Sequence, residues 1–94
     1  MKQIILTETE TFKARDILLG VLRSAPVGQG MTIGQMERRL RIIDVIEASD
    51  GPILLEDEDY NHMKECLEGF NGFAGGAIMR DLVRMRDEVR NAST

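Results

Sequence analysis

"IILTETETFKARDIL" at residues 4–18 and "ILLEDEDYNHMKECL" at residues 53–67 follow one plan. Each opens with three aliphatic residues, crosses a polar, acid-bearing run and settles into a helical spacing of apolar side chains. Aliphatic triplets with β-branched members read as short strands. A lone three-residue strand is unstable in water, so two of them are expected to pair with each other. The expectation is a minimal two-stranded sheet built from residues 3–6 and 53–55, with the helices packed on one face of it. The fold class is then α+β, mostly α, in a single domain over 1–94 with residues 91–94 as a frayed tail. If the strands do not pair, the fallback is an all-α four-helix cluster with extended connectors.

Four amphipathic helices follow from the rest of the chain. Ile17, Leu18, Val21 and Leu22 share one helical face downstream of Phe12. Thr9 or Thr11 is positioned to cap that helix by accepting a backbone N–H. Its end falls near Ser24, because Pro26 disfavours helical geometry at Ala25. "PVGQG" is then a loop, and Thr32 with Gln35 writes a capping box for the second helix. Ile33, Met36, Leu40 and Ile43 give that helix an apolar stripe, which Ile42, Val45 and Ile46 widen. Asp50-Gly51-Pro52 closes it, with Gly51 suited to a left-handed cap. Tyr60, Met63, Leu67 and Phe70 form the stripe of a third helix, and Ile78, Leu82, Met85 and Val89 that of a fourth.

Composition narrows the function classes. Hydrophobic residues make up 43% of 94 residues, enough for a core and too many for wholesale disorder. Aromatics are 4%, Trp is absent and Met numbers six, so the core is aliphatic and gap-filled by Met. The formal charge of −4 disfavours general nucleic-acid binding, which relies on clustered Lys and Arg. A single Cys makes no internal disulfide, which points to a reducing compartment. Met1 leads into a strand-like segment instead of a signal sequence, and no apolar run reaches the ~18 residues a membrane span needs. The expected location is the cytoplasm.

Several constellations carry groups capable of chemistry. Glu58, His62 and Cys66 recur every fourth residue on one helical face, but each step climbs about 6 Å, so three ligands on one straight helix converge poorly on zinc. His62 and Cys66 read as a base and nucleophile lack an orienting third group and an oxyanion hole. "GFNGFAGGA" is rich in glycine without the Lys-Ser/Thr of a phosphate loop. Glu56-Asp57-Glu58-Asp59 lacks the glycine of a calcium loop and is better placed to complement a helix N-terminus. No catalytic residue, metal or cofactor is expected.

The residues left for binding are Phe70 and Phe73, two of the three Phe, both at the glycine-rich connector, where they either fold back into the core or present an apolar knob to a partner, and the acidic run Glu56, Asp57, Glu58 and Asp59. The stretch 32–70, "TIGQMERRLRIIDVIEASDGPILLEDEDYNHMKECLEGF", resembles small accessory proteins of tailed bacteriophages. The shared features are a compact helix, a D-G-x-I-x-L strand and an E-D-x-D-Y helix start. That resemblance implies a viral protein that binds a host or virion protein, which would place it in the host cytoplasm; it assigns no residue. The expected function is therefore a small non-enzymatic protein-interaction module, with a homodimer among the assemblies it allows. The alternative is a nucleic-acid-binding regulator that uses Arg38, Arg39 and Arg41 on the second helix.

Overall fold

A two-stranded sheet forms, and of the first triplet only Ile4 belongs to it. In the computed structural model, which describes residues 1–24, 30–73 and 75–93, strand β1 (Lys2–Ile4) lies antiparallel to β2 (Ile53–Leu55). Ile4 faces Ile53 and Gln3 faces Leu54. Ile4, Ile53 and Leu55 are buried, whereas Leu54 is half exposed, so the sheet has one covered and one bare face. The first strand sits nearer the N-terminus than residues 3–6: it begins at Lys2 and stops at Ile4, leaving Ile5 exposed. The cause lies in Thr7. Its backbone N–H and its hydroxyl both donate to the Glu88 carboxylate, at 3.0 and 2.5 Å, and draw the chain off the sheet line.

Helices α1 (Ala14–Arg23), α2 (Ile33–Ala48), α3 (Asp57–Gly69) and α4 (Met79–Arg90) surround this floor, α4 being entered through a 3-10 turn over Gly76–Ile78. α1 packs on α2 and α3, α3 packs on α4, and β2 sits against α2 and α3. The core they share is aliphatic, built on Ile4, Leu18, Leu22, Ile42, Ile46, Ile53, Leu55, Met63, Met85 and Val89. The loop expected over residues 26–30 lies outside the described residues except for Gly30, as does Ala74 in the glycine-rich connector.

The helix ends depart from the simplest signals. The capping box of α2 forms as expected: Gln35 N–H donates to Thr32 Oγ1, and Thr32 N–H donates to Gln35 Oε1. α1 begins later than Thr9 or Thr11 would set it. Thr9 accepts from Phe12 N–H and closes a turn ahead of the helix, and it is Glu8, neither Thr, that accepts an amide of the first turn of α1, the Arg15 N–H at 3.2 Å. Gly51 does not take the left-handed conformation; positive φ occurs at Gly30, Gly75 and Gly76. An arginine closes α2 instead. Arg15, on α1, donates to the carbonyls of Ile46, Ser49 and Gly51. Arg39, on α2, returns the contact by donating to the carbonyls of Leu22 and Ser24 at the end of α1. Each helix thus supplies a cation to the carbonyl end of the other, where the orphan acceptors and the dipole favour positive charge.

That exchange rotates α2. Its buried side is Arg39, Ile42, Ile43 and Ile46, and the stripe of Ile33, Met36 and Leu40 lies about a quarter turn away, in solvent. Ile33 is 81% exposed. The C-terminal segment is held instead of frayed: Gln3 and Ser93 exchange backbone hydrogen bonds of 2.6 and 3.1 Å, so β1 is flanked on both edges. The buried Tyr60 hydroxyl adds a 2.7 Å bond to Val89 O, tying α3 to the end of α4.

Candidate functional site

The glycine-rich connector turns its two rings toward each other. Phe70 ends α3 in extended conformation, and Phe73 follows three residues later. Their centroids lie 4.6 Å apart at 68°, an edge-to-face pair of the kind aromatic quadrupoles favour. Both rings are half buried and pack on the core from outside. Gly72 makes this possible, because a Cβ there would stand 2.6 Å from Phe70 Cζ. Gly75 and Gly76, with φ of 78° and 80°, then turn the chain into α4.

Between this pair, the end of α3 and the face of α4 runs an open cleft of about 250 Å³. Its apolar lining comes from Leu67, Phe70, Phe73, Leu82, Val83 and Met85, and its polar rim from Glu68, Arg86 and Arg90. Arg90 Nε donates to Glu68, and Arg86 donates to Asp87 Oδ1 from Nε and Nη2 at 3.3 and 3.0 Å. Sequence reasoning found the two Phe residues and missed the α4 wall. A usable signal was present: Met79, Val83, Arg86 and Arg90 follow the i, i+4, i+7, i+11 spacing of one helical stripe beside the buried face.

The two other candidate groups meet each other. Arg38 donates to Glu58 Oε1 at 3.1 Å, and Arg41 grips Asp59 with a fork of 3.1 and 2.6 Å. Arg41's hydrogen bonds hold the Asp59 carboxyl below the usual carboxylate range, against a burial effect of opposite sign. Arg39 is buried and engaged with the α1 carbonyls. The basic face of α2 is thus turned to internal pairing. Asp57 is exposed, with its carboxylate 3.3 Å from the Met1 amine, and Glu56 is exposed at the N-cap of α3. Asp57, Glu58 and Asp59 occupy the first turn of α3, where carboxylates complement the helix dipole. The acidic run lies at the end of α3 opposite Phe70, so the two sets proposed as partner contacts do not form one surface.

His62 and Cys66 lie side by side, with Nε2 3.8 Å from Sγ. Burial lowers the imidazole pKa, with Arg38 and Arg39 adding to the effect. Burial also raises the thiol pKa. Both shifts favour the neutral forms, the opposite of what a thiolate–imidazolium couple requires. Glu58, the third member of that spacing, is turned to Arg38. Among the described residues no cluster of three or more His, Cys, Asp or Glu is arranged to hold a metal ion, and no helix is long and apolar enough to cross a membrane.

No protein-family model, curated protein or solved structure matches this chain.

Proposed function

We propose that this chain is a small, non-enzymatic protein-interaction module that receives a partner protein in the α3–α4 cleft. The observation that carries the proposal is the cleft itself: an edge-to-face Phe pair and Leu82 form an apolar wall that stays open to solvent, with Val83 half exposed beside it. Half-buried aromatics around an apolar recess are the usual anchors of protein recognition. The resemblance of residues 32–70 to phage accessory proteins adds a host or virion protein as the partner. The Arg38–Arg39–Arg41 face supports the nucleic-acid alternative poorly, because all three guanidinium groups already serve carboxylates or carbonyls of this chain.

Substituting Val83→Glu tests the proposal. The residue is 50% exposed, so a carboxylate there is solvated and the thermal midpoint should stay within a few degrees of wild type. Capture of the partner from lysate should be lost. Undiminished capture by the folded variant would remove the cleft from the account.

A further inference from the structure

Among the described residues, no strand pairs with the outer edge of β2. The direction of its backbone groups follows from β1. Gln3 exchanges both its hydrogen bonds with Ser93, so its groups face away from β2, and Gln3–Leu54 is the non-hydrogen-bonded pair of the ladder. Ile53 and Leu55 therefore turn their N–H and C=O toward Ile4 and Lys2. A trans peptide points its C=O opposite to its N–H, and no peptide bond here is cis. The groups directed to the outer edge are then Pro52 C=O, Leu54 N–H, Leu54 C=O and Glu56 N–H. None of the four has a backbone partner among the described residues. Pro52, Leu54 and Glu56 are all exposed, which lets water satisfy these groups in the single chain.

We infer that this edge pairs with a second copy of the chain, antiparallel about a two-fold axis at Leu54. The inference is independent of the cleft. On that axis each Leu54 N–H donates to the other Leu54 C=O, and each Glu56 N–H donates to the Pro52 C=O opposite. All four outward groups of each copy are used. The two remaining ladder positions would need an N–H from residue 52 and a free C=O at residue 56. Pro52 has no N–H, and Glu56 C=O already accepts from Tyr60 N–H at 2.8 Å. The missing donor and the occupied acceptor thus fall opposite each other. A strand of unrelated sequence would bring an N–H to that occupied carbonyl, whereas the second copy brings a proline. The two Leu54 side chains become direct cross-strand neighbours and shed solvent from a position now 50% exposed. Each Glu56 faces a neutral Pro52, and the two Glu56 residues stand four positions apart along the seam, about 14 Å, beyond the screening length of about 8 Å at physiological ionic strength. The net charge of −4 on each copy still opposes association, so the dimer strengthens as salt is raised.

Sedimentation equilibrium and amide hydrogen exchange on the full chain test the inference. So small a seam gives a weak, reversible dimer, with about half of the chains paired near 1 mM protein. Over the same concentration range the amides of Leu54 and Glu56 should exchange more slowly, while that of Gln3, already bonded to Ser93, should not change. Leu54→Lys places like charges at the axis on an exposed side chain, so the thermal midpoint should stay within a few degrees and the dimer should be lost. Leu54→Pro removes the outward N–H and leaves the bonds to β1 in place, and it should also be monomeric. Ile33→Lys, the same charge change on the exposed stripe of α2, should leave the dimer intact. A monomer at every concentration would overturn the inference. So would a dimer in which the Leu54 amide exchanges as fast as in dilute solution, or one that Ile33→Lys abolishes, because the copies would then meet through another face.

Discussion

Replacing Ile4 with Val, and Ile5 with Val in a second protein, separates the register observed here from its nearest competitor. A strand's side chains alternate between faces, so a slip of one residue would exchange the buried and exposed members. Ile4 is fully buried against Ile53, whereas its neighbour Ile5 is 64% exposed. Removing one methylene at a site with no solvent contact costs about 1 kcal/mol, combining the lost transfer energy and the small cavity left behind. With a urea dependence of about 2 kcal/mol/M, usual for a domain of this size, Ile4→Val should lower the unfolding midpoint by about 0.5 M. Ile5→Val should move it by less than about 0.25 M, the range of ordinary surface changes. Ile53→Val should resemble Ile4→Val. The two should be non-additive when combined, because the side chains touch across the sheet. Equal effects at residues 4 and 5, or a larger one at 5, would refute the pairing of Lys2–Ile4 with Ile53–Leu55.

Three further outcomes follow from individual contacts. Asp59 has its pKa depressed by Arg41, so its contribution to stability is present above the unfolded-state value of about 3.9 and is lost as pH falls through the lower folded value. In Asp59→Asn the thermal midpoint should fall less steeply than in wild type as the buffer is taken below about pH 4; identical acid limbs would contradict the Arg41 fork. Gly72→Ala should force the Phe70 ring from its place, because the added carbon would stand 2.6 Å from Cζ. Ring-proton shifts of Phe70 and Phe73 should change together and partner capture should weaken; unchanged ring shifts would show that the pair does not depend on this glycine. Burial raises the Cys66 pKa, so at neutral pH its reaction with a thiol reagent should be slower in the native chain than in urea. A faster native reaction would reopen a catalytic reading of the thiol.

The elements of the fold were legible where local chemistry acts alone. The second aliphatic triplet, the Thr32–Gln35 box and the acidic first turn of α3 draw on their own neighbours in sequence, and each forms as read. The errors sit where a residue distant in sequence takes over. Glu88 ends β1 early by drawing Thr7 away, and Ser93 joins the strand edge where a loose tail was expected. Arg15 closes α2 where Gly51 was expected to, and its counterpart Arg39 turns an apparently basic face inward. Hydrophobic periodicity alone made Ile33, Met36 and Leu40 core residues; the rotation imposed by Arg39 leaves them in solvent. The candidate site was half visible. Phe70 and Phe73 drew notice because Phe is scarce, but their wall on α4 depends on how the glycine connector folds, and apolar spacing does not encode that.

Site-directed photocrosslinking tests the central claim most directly. A photoreactive phenylalanine at position 83, in the cleft, is compared with the same group at position 33, the most exposed apolar position on α2. Irradiation in the presence of the captured partner should give a covalent adduct from position 83 and none from position 33. An adduct from position 33 alone would place recognition on α2 and contradict the account.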